Sequence, residues 1–244
     1  MKTVLACINR RKRAYARLPL FERLRDDDLP PRVRLSFMPE FAFFVMAFGD
    51  LNRYVLRKEP ADDPHQAQVN AHTYEDDHHW SWFLEDIETL GWSGSTTATD
   101  ALRALWRDDT CRCRMLMYDL CALVRAADGI ERLAIVEAVE ETGNVLFTLT
   151  THIAQGMQGD VDRELRYMGL HHLALESGHL QHGEHAALGA IELSDDKRAR
   201  CIELVDYVFD LFAAWTHEAQ RHIERAMSRE QPAPADAPLH AGGL

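Results

Sequence analysis

Apolar residues recur along most of this chain at the three-to-four-residue spacing that places them on one face of an α-helix. The sequence contains no strand-length alternation of apolar and polar residues between turns, and no glycine loop of the phosphate-binding kind. Helices are predicted over residues 36–57, 65–91, 97–107, 109–127, 130–157, 160–191 and 195–228. We therefore predict an all-α fold, a bundle of about seven helices.

Turn and capping residues separate the predicted helices. Asp128-Gly129 is expected to end one helix, with Gly129 in the left-handed C-terminal conformation. Ser194 and the two acids after it are a favourable helix start, because acids there meet the helix dipole. Residues 231–244 are rich in Pro and Ala and lack core-forming side chains. We predict a single helical domain over residues 1–230 and a disordered tail over 231–244.

Composition and charge narrow the classes of protein. At 244 residues and 46% hydrophobic content the chain suits one large domain with an ample core. No run of about 18 apolar residues occurs, so we expect no membrane span. The net charge of −12 argues against a nucleic-acid partner. The start of the chain lacks the charge order of a signal peptide, and the five scattered cysteines favour reduced thiols, so we expect a cytoplasmic protein.

The sequence H-x3-E-x2-H stands out within the helix predicted over residues 160–191. On a helix, His172, Glu176 and His179 lie within roughly 60° of one another, on the apolar side. Ionisable groups there are costly unless they are paired or bind a metal. Two imidazoles and a carboxylate suit a first-row transition metal. The alternative is a solvated His-rich face, since five histidines fall between residues 171 and 185.

A preceding helix offers an acid and a histidine on its own apolar stripe. Projected at about 100° per residue, Asp76 falls on that stripe, with His79 and His72 on its edge. Asp76-x2-His79 is therefore the better ligand pair. The pair shifted by one residue, Glu75 and His78, stays open as the alternative register.

The helix over 130–157 supplies a third acid. Glu140 lies nearest its apolar stripe, Glu137 is next, and Glu141 points away. Three histidines and three carboxylates from three helices are typical of two bridged iron or manganese ions in a helical bundle. A structural zinc would more readily recruit the cysteines. The predicted metal ligands are Asp76, His79, Glu140, His172, Glu176 and His179.

Together, the H-x3-E-x2-H element, Glu140 and the acid-x2-His pair resemble the haem-oxygenase-like diiron oxidases and oxygenases. The resemblance covers residues 36–228, and the chain's length and the segment from His72 to Leu90 suit a compact branch that includes a nitrile synthase acting on a tryptophan derivative. It implies a haem-oxygenase-like bundle with two Fe(II) ions, for which Mn is a possible substitute. This chain has Asp76 where the family more often has Glu.

The resemblance also divides the ligands between the two ions. Asp76, His79 and His172 would bind one iron, with one or more carboxylates bridging to the second. The second iron would be bound by Glu140, Glu176 and His179.

The activity implied is that of a non-haem diiron oxidoreductase using O2. A peroxo-diferric intermediate would oxidise a small amino-acid-derived metabolite in natural-product biosynthesis, by oxidative nitrile formation, N-oxygenation or C–C cleavage. Members of this family often dimerise, so a homodimer is a further expectation. Candidate walls of the substrate pocket are Trp80, Phe83, Phe147 and Met168.

Two other functions compete with this one. The first is a metal-free enzyme of the same fold, thiaminase-like or quinone-cofactor-synthesis-like, for which Cys111, Cys113 or Cys121 would supply a catalytic thiol. The second is a non-catalytic helical protein with a structural metal site.

Overall fold

A computed structural model describes residues 1–94, 96–179 and 187–230, without the side chains of 176–179 and 230. These residues form eleven α-helices and no strand, which confirms the all-α prediction. The helices are α1 (Lys2–Tyr15), α2 (Pro19–Arg25), α3 (Pro31–Arg34), α4 (Met38–Leu51), α5 (Pro64–Asp76), α6 (Trp80–Thr89), α7 (Ala98–Trp106), α8 (Cys111–Ala126), α9 (Gly129–Gly156), α10 (Leu170–His179) and α11 (Asp195–Glu230). A π-helical turn, Asn52–Leu56, continues α4, and a 3₁₀ turn, Asp108–Thr110, precedes α8.

The predicted number of about seven helices is wrong, for two reasons. The chain forms α1 to α3 before residue 36, where no helix is predicted, although α1 has 14 residues and buries Val4, Cys7 and Ile8 on one face. The helix expected over 65–91 is two helices, because α5 ends at Asp76 and α6 begins at Trp80. The helix expected from residue 160 begins only at Leu170. The tail predicted over 231–244 lies outside the described residues.

The two longest helices, α9 and α11, form the centre of the bundle. They pack against each other, α1 packs on both, α5 and α10 lie against α9, and α8 lies against α11. Aromatic side chains join α4 to α11, with the rings of Phe41 and Trp215 4.4 Å apart and those of Phe44 and Phe212 5.6 Å apart. Burying a large apolar side chain contributes about 1.5–3 kcal/mol, so this layer stabilises the fold substantially.

The start of α9 corrects the prediction for Asp128-Gly129. Asp128 is the N-cap of α9, and its side chain and that of Glu131 form a reciprocal capping box. Lys197 of α11 bonds both acids, at 2.5 and 2.7 Å. Gly129 is the first helical residue and not a left-handed C-terminus. A Cβ at this position would lie only 2.4 Å from a carboxylate oxygen of Asp63, so the Asp63 side chain would have to move to accommodate one.

The five cysteines are free thiols, and the interior holds three of them, Cys7, Cys113 and Cys201. Burial raises the pKa of Cys113 to about 12 and that of Cys201 to about 11. Within the part of the chain that the structure describes, no helix is both long enough and apolar enough to cross a membrane.

Candidate metal centre

Three ligand-type side chains meet where α5 packs on α9. His72 and Asp76 are one helical turn apart on α5, and Glu140 faces them from α9. The His72 Nε2 atom lies 2.9 Å from Asp76 Oδ2 and 3.3 Å from Glu140 Oε1. One ligand atom from each residue lies within 4.8 Å of the other two, a spacing that a single metal ion can span.

His79 extends this group from the junction between α5 and α6. It is the N-cap residue of α6, and its Nδ1 lies 3.6 Å from Asp76 Oδ1. Gly49 of α4 lets this junction pack closely, because a Cβ at that position would lie 3.0 Å from the carbonyl oxygen of Asp77. The ring of His79 also contacts that of His172 on α10, with centroids 4.7 Å apart.

The position of His172 depends on the segment that precedes α10. The His172 Nδ1–H donates to the carbonyl oxygen of Tyr167 at 2.9 Å, which places the lone pair on Nε2. Metal-binding histidines commonly make this kind of orienting hydrogen bond. The segment is held in turn by the buried carboxylate of Asp86, which accepts from the backbone N–H of Arg166 at 2.6 Å and of Met168 at 2.8 Å.

The charges at the site are tightly coupled. Burial alone would lower the pKa of His72, but Asp76 and Glu140 outweigh it and hold that pKa well above its usual range. Burial alone would raise the pKa of Asp76, yet the His72 imidazolium beside it holds that pKa below its ordinary value. Burial lowers the pKa of His172 to about 3, and the neighbouring His79 adds to the effect. His172 is therefore a neutral imidazole near pH 7, the form that binds metals.

An apolar cavity, which we call the metal cavity, joins four of the predicted ligands. Asp76, His79, Glu140 and His172 all line it, and its enclosed volume is about 50 Å³. Helices from both ends of the chain supply its walls, including Tyr15 of α1, Phe44 of α4, Phe147 of α9 and Phe212 and Trp215 of α11. These walls keep bulk water from the carboxylates and imidazoles.

The structure brings together four of the six predicted ligands. Asp76, His79 and His172 are 5%, 7% and 3% exposed, and Glu140 is largely covered. The other two, Glu176 and His179, belong to α10, but their side chains lie outside the described residues.

Both residues of the alternative register lie at the surface. Glu75 is exposed, as is His78, with 55% of its side chain accessible. The buried positions therefore favour Asp76 and His79. His72, which the periodicity placed on the stripe edge and left out of the ligand set, is central to the cluster. Only the packing of α5 on α9 shows that its ring reaches Glu140.

The predicted substrate walls are only partly at this site. Phe147 lines the metal cavity and packs against His172 in a tilted arrangement, with ring centroids 4.2 Å apart. Phe83 and Met168 are fully buried but lie outside that cavity, and Trp80 is 39% exposed. The role of these three residues as substrate walls stays a prediction.

The cysteines offer little support for a thiol-based enzyme. Cys111, Cys113 and Cys121 do not line the metal cavity. Burial raises the pKa of Cys113 to about 12 and also raises that of Cys121. A nucleophilic thiol needs its pKa lowered toward neutrality.

The donor set suits a first-row transition ion. Carboxylates and imidazoles from three helices and one helix junction converge in a space closed by aromatic side chains, and no thiol takes part among the described ligands. No family model matches this sequence, and no curated protein matches it either. The function is therefore inferred from the side chains of this site.

Proposed function

We propose that this protein is a non-haem diiron oxidase or oxygenase, of haem-oxygenase-like fold, that uses O2 to oxidise a small amino-acid-derived metabolite. One observation carries the proposal. Two carboxylates and two histidines, from widely separated segments, line one apolar cavity, and His72 bonds both carboxylates. Burying this many ionisable groups is costly unless a cation compensates for it.

Five side chains would hold the metal from α5, the start of α6, α9 and α10. They are His72, Asp76, His79, Glu140 and His172. Glu176 and His179 follow on α10 at the spacing that returns to the same helix face. Two irons, or manganese in their place, would supply the reduction of O2 and the oxidation of the substrate when bound.

The protein's own side chains would prepare this site in three ways. The backbone carbonyl of Tyr167 accepts the Nδ1–H of His172, which fixes the ring and its tautomer. The Nε2 atom of His172 then keeps the lone pair that can bind a metal. The aromatic walls exclude water, which strengthens charge interactions within the cavity and protects reactive species. His72 holds a proton between Asp76 and Glu140, and a metal ion binding those carboxylates displaces that positive charge.

The shape of the cavity bears on the substrate. Its volume of about 50 Å³ is well below the roughly 300–1,000 Å³ of common small-molecule sites, so a substrate of any class would require its aromatic walls to move apart. Among the polar side chains near the site that could bind a substrate, Tyr167 lines the cavity, whereas Arg166 pairs with Glu85 and Tyr74 is exposed.

Metal analysis of protein purified with iron supplied tests this proposal. We expect close to two irons per chain in the wild type, and a marked loss in His172→Ala, Glu176→Ala and Asp76→Asn. His152→Ala is the matched control, since His152 lies on α9 but is exposed to solvent. Iron content that is unchanged in all three ligand variants would rule out this metal centre.

A second measurement separates an oxidase from a protein that merely stores or uses metal structurally. Iron-loaded protein should consume O2 faster when the right amino acid or derivative is added. The His172→Ala variant should show no such substrate-dependent uptake. Two bound irons without O2 consumption for any amino-acid substrate would favour the structural role.

A further inference from the structure

A second cavity lies between the start of α4, the 3₁₀ turn before α8 and the C-terminal part of α11. It has a volume of about 370 Å³, and we call it the charged cavity. The argument uses six of its lining residues, which are Glu40, Arg107, Asp109, His222, Arg225 and Arg229. Small-molecule sites commonly enclose about 300–1,000 Å³, so this cavity is large enough for a metabolite.

The two cavities share no lining residue, although α4 and α11 contribute to both. On α4 the charged cavity takes Glu40, and the metal cavity takes the neighbouring Phe41 and residues up to Phe48. On α11 it takes His222 and later residues, whereas the metal cavity takes Phe212 and Trp215. The charged cavity is therefore a separate site, and the proposal for it does not rest on the metal centre.

Polar atoms of its floor lack hydrogen-bond partners. Glu40 Oε2, His222 Nε2 and Ser36 Oγ are hidden from solvent and have no partner among the described residues. His222 is only 6% exposed, and its Nδ1 lies 3.5 Å from Glu40 Oε1. Buried polar groups are nearly always satisfied, so each such atom calls for a water or a ligand.

The protonation state of His222 decides whether its partnerless nitrogen donates or accepts a hydrogen bond. Burial lowers the pKa of His222 to about 4, so its ring is neutral near pH 7. The Asp109 backbone carbonyl accepts from the ring N–H, and with that proton on Nδ1, beside Glu40, the partnerless Nε2 atom is an acceptor. A small rotation of the Glu40 carboxyl group, whose terminal torsion is broad, would present either oxygen to a ligand. The floor is therefore built from acceptors, and it suits a ligand that donates hydrogen bonds.

The rim of the cavity has the opposite character. Arg107 bonds one oxygen of the Asp109 carboxylate and Arg225 bonds the other, so both oxygens are paired. Arg229 forms no ion pair among the described side chains, and three arginines face only two carboxylates across the cavity. The guanidinium fork binds carboxylates and phosphates well, so the rim suits an anionic group.

We propose that the charged cavity binds a free α-amino acid, its carboxylate on Arg225 and Arg229 and its ammonium group on Glu40 and His222. This ligand brings an anion and three hydrogen-bond donors within one small molecule. A cation alone is disfavoured by the three arginines, and a phosphate would supply too few donors for the floor. No metal ion takes part in this binding.

Calorimetric titration of the full-length chain with the common L-amino acids, one at a time, tests the proposal. At least one should bind in a one-to-one complex. Propionate and ethylamine, which are alanine without its amino group or its carboxylate, should bind at least about tenfold more weakly than alanine, because each loses a charge-assisted contact. Inorganic phosphate should compete only weakly.

Variants locate the binding. Glu40→Gln and Arg229→Met should each weaken it about tenfold or more. The matched controls Glu203→Gln and Arg200→Met change a surface ion pair of α11 and should leave affinity unchanged. His172→Ala, in the metal cavity, should also leave it unchanged. Circular dichroism confirms that each variant is folded.

Three results would overturn the proposal. The first is that no amino acid binds, which would make this a hydrated cavity. The second is that propionate or phosphate binds as tightly as the amino acid. The third is that His172→Ala abolishes binding while Glu40→Gln and Arg229→Met do not, which would move the ligand to the metal cavity.

Discussion

His72 carries a positive charge between two carboxylates in a part of the molecule from which water is excluded. Burial opposes that charge, but Asp76 and Glu140 raise the pKa of the ring well above its ordinary value. The imidazolium thus acts as the cation of the site whenever no metal is bound. Removing one partner from a buried charge cluster is far more damaging than removing a surface pair.

We expect His72→Phe to lower the free energy of unfolding by about 3–5 kcal/mol in metal-free protein. The substitution leaves Asp76 and Glu140 facing each other without the imidazolium that separates them. Urea denaturation followed by circular dichroism measures the change.

The double variant His72→Phe/Glu140→Gln provides the control. Removing one of the two negative charges should recover part of the lost stability, so the double variant should be more stable than His72→Phe alone. Equal or lower stability of the double variant would mean that charge repulsion is not the cause.

At the level of elements, α10 depends on an irregular segment for its position. The chain between the end of α9 and Leu170 forms no helix, and Asp86 of α6 holds it by two backbone hydrogen bonds. Burial raises the pKa of Asp86 to about 6. Burial therefore disfavours the ionised form of Asp86 relative to an aspartate in water, even though its carboxylate accepts both N–H groups.

The raised pKa of Asp86 predicts that its contribution to stability falls as the pH rises. The folded pKa of Asp86, about 6, exceeds the unfolded value of about 3.9, so its stabilising effect is complete below about pH 4 and is lost as the pH rises through 6. The stability of the wild type relative to Asp86→Asn should fall by roughly 1–3 kcal/mol between pH 4 and 7. Chemical denaturation at a series of pH values measures this difference.

Asp50→Asn, at an exposed position of α4, is the reference for that series. Its stability relative to the wild type should change little over the same range. A flat difference for Asp86→Asn as well would show that this carboxyl group does not titrate there.

The contact between α4 and the α5–α6 junction is a second element-level feature. A Cβ on Gly49 would lie 3.0 Å from the Asp77 carbonyl oxygen and 3.1 Å from Trp80 Cδ1. Gly49→Ala should therefore cost about 1–3 kcal/mol of stability, more than the roughly 1 kcal/mol gained in helix propensity. It should also weaken metal binding, because the junction positions Asp76 and His79.

Gly156→Ala is the matched substitution, since nothing lies within 4 Å of the added carbon at the end of α9. It should leave metal binding unchanged and raise stability by about 0.5–1 kcal/mol. If Gly49→Ala behaved in the same way, the close packing of α4 on the junction would have no energetic importance.

At the scale of the whole molecule, periodicity predicted most long helices correctly. The ranges 97–107, 109–127, 130–157 and 195–228 correspond to α7, α8, α9 and α11 within a few residues. Apolar spacing missed the short helices α2 and α3, and also α1, which at 14 residues is as long as α4. It also failed to detect the break after Asp76, because both sides of that break remain amphipathic.

Only part of the site could be predicted from the sequence. Spacing on single helices identified Asp76, Glu140 and His172 as inward-facing, and the structure brings them to one cavity. Their binding of iron stays a prediction. His72 required knowledge of how α5 packs on α9, and the charged cavity joins residues near 40, 107 and 222 that no local spacing connects. Contacts between distant segments depend on tertiary packing, which periodicity does not encode.

The different burial of the five thiols makes them probes of local unfolding. Cys7, Cys113 and Cys201 are sealed in the interior, whereas Cys111 and Cys121 are partly accessible. A maleimide reagent should therefore modify two sites quickly in the native protein, and the other three only at the rate at which the bundle opens. Mass spectrometry of timed samples would then measure, site by site, how often each part of the molecule unfolds.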